Sequence, residues 1–409
     1  MRPEPQCLGC GAPLRRTFID LGHMPLANSF VAPETAAPDP AYPLHARVCE
    51  QCFLVQVEPV VPPEAIFSDY AYFSSFSKSW LAHGRAYAAM AIQRFALTAA
   101  SKVVEVASND GYLLSNFIAA GIPCLGVEPA ANVAACARAK GVPTETAFFG
   151  TATARRLLAA GHAADLMIAN NVLAHVPDIN DFVAGFAILL RKEGVLTAEF
   201  PHVLNLIREL QFDTIYHEHF TYLSLLAVER ILERHGLRVF DVDEIATHGG
   251  SLRLYICRRE SRWAASPAVS RLREKEQAAR LDRPEGYADF APRIERVRRE
   301  LVAFLDAAQA EGRKVAAYGA AAKGNTLLNY CGVGRERIAF VADRNPAKQG
   351  RLLPGSRIPV RPPEAIVAEK PDYVLILPWN LKDEVTEQNA AIRAWGGKFV
   401  TAIPELRVS

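Results

Sequence analysis

Two cysteine pairs open the chain, Cys7-Leu8-Gly9-Cys10 and Cys49-Glu50-Gln51-Cys52, each with the spacing of a metal knuckle. Four thiolates can close a tetrahedral Zn²⁺ site with no open position, so such a metal is structural rather than catalytic. Gly9 and Gly11 permit the first tight knuckle; the second has no glycine, and the 38 residues between the pairs exceed a usual ribbon loop. Redox Cys-x-x-Cys chemistry is the alternative, but neither pair follows a strand and opens a helix. A zinc ribbon can also read nucleic acid, yet few basic and aromatic residues surround this one.

The second chemistry-bearing stretch is Val103 to Gly111, Val-Val-Glu-Val-Ala-Ser-Asn-Asp-Gly. Four residues read as a buried parallel strand carrying Glu105, a tight turn follows at Asn109-Asp110-Gly111, and Tyr112 to Ile118 reads as a helix. About twenty residues on, a second apolar run ends at Glu128, where a carboxylate suits the hydroxyls of a ribose. The turn lacks the Gly-x-Gly-x-x-Gly that brings a pyrophosphate onto backbone. S-adenosylmethionine has no phosphate and tolerates Ala107 and Ser108, so this element favours that cofactor over NAD. Its bland reading is a core strand with ordinary polar ends. Upstream, Asp69 to Ser77 is dense in hydroxyls; these serines, Ser75 among them, either cap the helix from about Lys78 to Leu97 or hold a substrate or the methionine carboxylate.

The densest titratable cluster is Phe212-Asp213-Thr214-Ile215-Tyr216-His217-Glu218-His219-Phe220. It has no His-x-x-x-His spacing, so a metal site is not indicated. In extended chain Tyr216 and Glu218 face one way and His217 and His219 the other; in a helix or turn they fan out. Histidine, with an unperturbed pKa of about 6.5, suits proton transfer near neutral pH. His219 is the expected base if the cluster does such chemistry, against the bland reading of a core histidine bonded to backbone. Asn170, Asn171 and His175 follow a fourth strand, Asp165 to Ala169; if helical, Asn171 and His175 share a face. Capping by Asn171 and a structural His175 is the competing reading.

The elements that must position these groups follow from apolar periodicity. Thr144 to Phe148 and Gly194 to Phe200 read as strands, Asp178 to Leu190 and Leu223 to Gly236 as helices. Val239 to Ile245 and Ser251 to Cys257 read as an antiparallel pair joined through His248-Gly249-Gly250. Five parallel strands and two antiparallel ones suit a class I methyltransferase. Between the knuckles, Ile19 to Gly22 and Pro25 to Phe30 look like packed extended segments. Arg262 to Arg283 is charged and loosely helical, and Ile294 to Ala308 keeps a helical stripe. A second strand, turn and helix begins at Lys314: Gly319-Ala320-Ala321-Ala322-Lys323-Gly324-Asn325 is no Walker loop, but its small residues let amides approach a phosphate. Another strand, Ile338 to Ala342, ends at Asp343, with Arg344, Lys348 and Arg351 beyond it as candidate diphosphate contacts, against the bland reading of solvated loop charges. Tyr373 to Leu377 and Lys398 to Ile403 complete a small three-layer unit.

The totals set outer limits. At 409 residues the prior is two to four domains, and half the residues are hydrophobic, ample for packed cores. With 46 basic and 44 acidic residues, a formal charge of +2 gives no electrostatic reason for nucleic acid or a membrane surface. No apolar run reaches the roughly 20 residues of a membrane span, and Met1 to Gly11 does not read as a secretory signal, so a cytoplasmic location is expected.

In order and combination, these pieces resemble the bacterial sugar C-methyltransferases that act on nucleotide-linked 4-keto-deoxysugars. The resemblance rests on the four cysteines, Tyr70-Ala71-Tyr72-Phe73-Ser74-Ser75, Ala107-Ser108-Asn109-Asp110-Gly111, Glu128-Pro129, Tyr216-His217-Glu218-His219-Phe220, His248-Gly249-Gly250 and Gly319 to Lys323. It covers essentially the whole chain. It implies an α/β architecture of four parts: a zinc-binding domain over 1–68, an S-adenosylmethionine domain over 69–260, a helical linker over 261–312 and a Rossmann-like nucleotide-sugar domain over 313–409. It implies that Tyr216, Glu218 and His219 meet the reacting sugar, with Asn171, His175 and Tyr72 nearby. Glu105, Asn109, Asp110, Gly111, Glu128, Asn170 and Ser75 are then expected at the cofactor. Lys323, with Gly319, Asn325, Asp343, Lys348 and His248, is expected at the nucleotide sugar, and a monomer is favoured. His217 departs from the Asp that antibiotic-sugar members carry there. The expected activity is S-adenosylmethionine-dependent C-methylation of an enolate carbon. The alternatives are O- or N-methylation of another small metabolite, or an inactive zinc-stabilised binding module.

Overall fold

The structure is a computed structural model that describes residues 4–62, 74–76 and 78–409. Its centre is a seven-stranded sheet built from β4 (Val103–Val106), β5 (Cys124–Val127), β6 (Thr144–Glu145), β7 (Ala164–Asn170), β8 (Leu190–Pro201), β10 (Leu237–Ile245) and β11 (Ser251–Arg258), in the order β10-β11-β8-β7-β4-β5-β6. Pairings from β6 through β8 are parallel, and β11 and β10 run antiparallel beside β8. Val103, Val104 and Val106 are all buried, as a strand covered by helices on both faces requires. From β4 the chain first adds β5 and β6 on one side, then crosses to β7 on the other. That reversal opens a crevice at the carboxyl ends of β4 and β7, where ligands of such sheets bind.

A four-stranded antiparallel sheet joins β1 (Arg16–Met24), β2 (Tyr42–Val48) and β3 (Val55–Val57) to β9 (Thr221–Tyr222), a strand borrowed from the middle of the chain. The third sheet holds β12 (Val315–Tyr318), β13 (Val341–Ala342), β14 (Val360–Arg361), β15 (Tyr373–Ile376), β16 (Lys398–Thr401) and β17 (Arg407–Val408), ordered β14-β13-β12-β15-β16-β17. It is parallel but for β17 and has its own reversal beside β12. One hydrophobic core runs from Phe18 and Leu44 through Phe212 and Ile215 to Phe290, Leu327 and Leu328. The N-terminal and C-terminal sheets therefore share packing, with Phe18 stacked on Phe290 at 4.4 Å. The cysteine knuckles instead pack with Leu54, Leu223, Leu225 and Ile231.

Several expected elements are redrawn. The strand at Thr144 to Phe148 shrinks to Thr144–Glu145, and Phe148 is exposed. Pro25 to Phe30 is irregular chain turning at Ala27 and Asn28, not an extended segment. Arg262 to Arg283 condenses into the helix Pro267–Ala278, capped by Ser266. Its Glu276 is fully buried and accepts from the Leu225 and Leu226 amides at 2.7 and 2.9 Å. A carboxylate there satisfies free amides at the start of the helix Leu225–Arg234 and fastens the charged stretch to the central domain.

Candidate active site

The turn after β4 is shaped by backbone that ordinary residues avoid: Ala107, Asn109 and Gly111 have φ of 55°, 49° and 76°. A Cβ at Gly111 would meet Val142 Cγ2 at 2.7 Å, so glycine is required there on two counts. Glu128 accepts from the Asn109 and Ala130 amides, both at 2.9 Å, and so holds the turn as well as standing at the end of β5. Burial raises its carboxyl against those two bonds. Asp110 pairs with Lys140 at 2.7 Å, and Lys140 reaches Ser75 Oγ at 3.3 Å. Asn109 Oδ1 accepts from the Ser74 amide at 2.9 Å. Glu105 lies on β4 beneath this turn, its carboxyl well above the usual range through burial and then the charges of Glu128 and Asp110.

Asn170 ends β7, and Asn171 takes φ 53° with its amide on the Glu199 carbonyl at 2.7 Å. Asn171 is therefore not on a helix with His175, which sits in the short 3₁₀ turn Leu173–His175. Among the described residues, Glu105 Oε2, Asp110 Oδ1, Asn170 Oδ1 and both amide atoms of Asn171 are buried without a partner. Buried polar atoms are normally satisfied, so this ring around the crevice fits a polar ligand such as S-adenosylmethionine. Tyr72 lies outside the described residues.

The titratable cluster forms a turn, so its side chains fan out. The His219 amide bonds back to the Tyr216 carbonyl at 2.9 Å. His219 Nδ1 lies 2.9 Å from the Thr214 carbonyl, an acceptor only, so Nδ1 carries the proton. The Nε2 lone pair then accepts from the Tyr216 hydroxyl at 2.9 Å. His175 Nδ1 likewise donates to the Glu218 carbonyl at 2.9 Å, and its ring stands edge-on to His219 at 4.6 Å. Burial holds His175 at about 4 and, with the neighbouring His175, holds His219 well below the ordinary histidine value. Glu218 is buried and accepts from Asn28 Nδ2 at 2.6 Å. His217 turns away to the Pro43 and Tyr42 carbonyls at 3.2 and 3.3 Å.

The C-terminal sheet faces the same cleft. Lys323 stands in the first turn of the helix Ala322–Cys331, its Nζ on Asn380 Oδ1 at 2.7 Å and 4.4 Å above the Trp379 ring. Its charge is among those that depress His219 and His248. The Trp379 indole donates to buried Asp213 at 2.8 Å and packs where a Cβ on Gly249 would fall, 2.5 Å away. His248 is exposed in the cleft, 5.2 Å from Trp80. Lys348 reaches the Ala320 carbonyl at 2.8 Å beside Gly319. Asp343 spends both oxygens on the Ala320 and Asn345 amides, which makes it a brace for the turn. Asn325 is buried, donates to the Ala27 carbonyl of the N-terminal loop at 2.5 Å and lines a small gap with Tyr216 and His217. Sequence reasoning missed Asn28, Trp80 and Trp379; none stands in a spacing that signals chemistry.

The four Sγ atoms of Cys7, Cys10, Cys49 and Cys52 lie within 4.8 Å of one another. Tetrahedral zinc with bonds near 2.3 Å places its sulfurs about 3.8 Å apart, so the cage fits.

Three family profiles match in succession: a zinc binding domain over residues 7–67, a methyltransferase domain over 80–242 and a C-methyltransferase C-terminal domain over 246–404. The C-methyltransferase NovU of Streptomyces niveus is 36% identical over 409 residues, covering 100% of this chain and 97% of that protein. Similar solved structures include magnesium protoporphyrin IX methyltransferase (ChlM) from Synechocystis PCC 6803 with bound SAH, 17% identical over 44% of this chain and 83% of that one, with a TM-score of 0.36. An S-adenosylmethionine-dependent methyltransferase from Clostridium acetobutylicum is 10% identical over 43% and 91%, with a TM-score of 0.35. These structural likenesses are too slight to carry a functional argument.

Proposed function

The chain belongs to the C-methyltransferase family, zinc-bearing and dependent on S-adenosylmethionine, and from that premise we propose that it methylates a nucleotide-linked keto-deoxysugar at a carbon beside the ketone. When bound, S-adenosylmethionine supplies an electrophilic sulfonium methyl. Glu128, Asn109, Asp110, Asn170 and Asn171 are the residues that would hold it. The chain's own task is to make a carbon nucleophilic. His219 Nε2 takes the proton from the carbon alpha to the ketone, and an enolate forms. The Thr214 carbonyl keeps that lone pair on Nε2, and burial keeps it uncharged near neutral pH. Tyr216, which occupies Nε2 at rest, gives way and donates its hydroxyl to the oxygen where charge develops. His175 holds the Glu218 backbone, and Glu218 orients the sugar.

The C-terminal part, residues 313–409, then holds the nucleotide diphosphate, with Lys323, Lys348 and the small-residue turn at Gly319 on the phosphates. The observation that carries this reading is a tautomer-fixed, uncharged His219 facing Lys323 across one cleft. Hydrogen exchange in D₂O tests it with a panel of nucleoside-diphosphate keto-deoxysugars and S-adenosylhomocysteine. The wild type should exchange the alpha proton of its substrate without methyl transfer. His219→Asn should bind both ligands by calorimetry and lose exchange and turnover together. Near-normal turnover in that variant would place the base elsewhere. Binding of no panel member, with methylation of a hydroxyl or amine acceptor, would replace the substrate class.

A further inference from the structure

The cysteine cage and the catalytic turn are joined by one short piece of β structure. After the second knuckle the Leu54 carbonyl accepts from the Cys49 amide at 3.0 Å, and β3 begins at Val55. Gln56, 1% exposed, has its side chain inside the first knuckle. Its Oε1 accepts from the Leu8 amide at 2.7 Å, and its Nε2 donates to Cys7 Sγ at 3.2 Å. Its backbone lies between two strands, opposite Arg47 of β2 and Thr221 of β9. One residue on, the Val57 amide donates to the Phe220 carbonyl at 3.0 Å. Phe220 follows His219 directly, and its own amide bonds to the Ala174 carbonyl at 2.7 Å, beside His175. Both active-site histidines thus hang from a ladder whose other end is the thiolate cage. The same N-terminal unit grips the turn twice more, through Asn28 on Glu218 and the Tyr42 and Pro43 carbonyls on His217.

A zinc-bound thiolate is a strong, fixed acceptor, so the amide of Gln56 takes its orientation from the metal cage. The strand that carries Gln56 has no freedom to shift without moving Thr221 and Phe220. We propose that Gln56 is a positioning residue for methyl transfer, coupling closure of the cysteine cage to the placement of His219 through β3 and β9. The inference rests on the reading of His219 as the base, since placement matters to turnover only if His219 meets the substrate.

The test uses full-length zinc-loaded protein carrying Gln56→Met, which keeps the length of the side chain and removes its three hydrogen bonds, to Leu8, to Cys7 Sγ and, at 3.3 Å, to the Leu54 carbonyl. Gln56→Glu serves as a second variant that keeps the acceptor for Leu8. Three quantities are read: zinc per chain, the His219 imidazole titration by ¹H–¹⁵N NMR without cofactor, and kcat beside KM for S-adenosylmethionine. Tyr216, Tyr222, His175, His248 and Lys323, the titratable groups that face His219, are unaltered in both variants. The expected result is retained zinc, a His219 titration moved up toward the ordinary value as water reaches a loosened turn, and kcat down about tenfold with KM for S-adenosylmethionine within about twofold. Folded variants in which His219 titrates as in the wild type overturn the coupling. A His219 that moves while kcat stays supports the coupling and removes the base assignment instead. Should neither variant fold, the titration is followed in wild-type protein as a chelator withdraws zinc, and an unmoved His219 overturns the proposal.

Discussion

Replacing Tyr216 by phenylalanine removes one hydroxyl from the resting site and has a calculable consequence. That hydroxyl donates to His219 Nε2 at 2.9 Å and so stabilises the neutral imidazole, because the protonated ring has no lone pair to accept it. A net hydrogen bond is worth about 0.5–1.5 kcal/mol. At 1.36 kcal/mol per pKa unit, its loss raises the His219 pKa by about 0.4–1.1 units. In the wild type, burial and His175 hold that value well below the ordinary one, so the acid limb of kcat/KM lies below about pH 6.5. In Tyr216→Phe the limb moves up by the calculated amount, since the base is now lost to protonation at higher pH. On the plateau the enolate oxygen has lost a donor, and kcat falls about a hundredfold. Initial rates across pH and an NMR titration of His219 check both parts. A limb that stays put, or moves down, would show that Tyr216 does not donate to Nε2 and would reverse the tautomer on which the mechanism rests.

Other outcomes are expected. Cys49→Ser should reduce bound zinc from about one per chain and lower the melting temperature, by metal analysis and calorimetry; full zinc retention would remove Cys49 from the cage. Lys323→Met should raise KM for the sugar nucleotide at least tenfold while leaving S-adenosylhomocysteine affinity within about twofold, since Lys323 stands on the helix Ala322–Cys331 beside the third sheet and Glu128 just past β5 of the central one; equal losses would merge the two sites. Glu128→Ala should weaken S-adenosylhomocysteine by about 1.5–3 kcal/mol, the scale of hydrogen bonds to a charged group, in isothermal titration; unchanged affinity would remove Glu128 from the cofactor. His175, His217 and His219 are all held below the ordinary histidine value by burial, so the unfolded chain binds more protons than the folded one as pH falls from about 6.5 toward 4. Denaturant midpoints should fall across that window, and a flat profile would show these rings solvated.

What could be read from sequence is what local pattern controls. Val103 to Val106 is apolar apart from Glu105, Leu166 to Ala169 is apolar throughout, and the cysteine pairs announce themselves by spacing. Long-range contacts leave no such mark. Asn28 meets Glu218 across 190 residues, and nothing in Pro25 to Phe30 distinguishes a polar ligature from a packed loop. The strand Thr221–Tyr222 is two residues long, too short for any periodicity, and exists because β3 offers it an edge. The cluster at Tyr216 was open between extended chain and turn because adjacent polar residues favour neither; the Thr214 and Tyr216 carbonyls decide it. Asn325 stands two residues after Lys323, and its bond to the Ala27 carbonyl is another long-range contact that local pattern does not announce.

The borrowed strand also sets an order of events during synthesis. The cysteine cage and β1 to β3 leave the ribosome well before Thr221 and Tyr222, at roughly 5–20 residues per second. Throughout that interval β3 is a bare edge, with amides and carbonyls turned toward any other nascent or soluble strand. A nascent chain that took up its metal early would fix the cage from which β3 leaves, and so would hold this edge formed before its partner arrives. Metal supply to the growing chain would then bear on yield and misassembly, apart from anything it does for the finished enzyme.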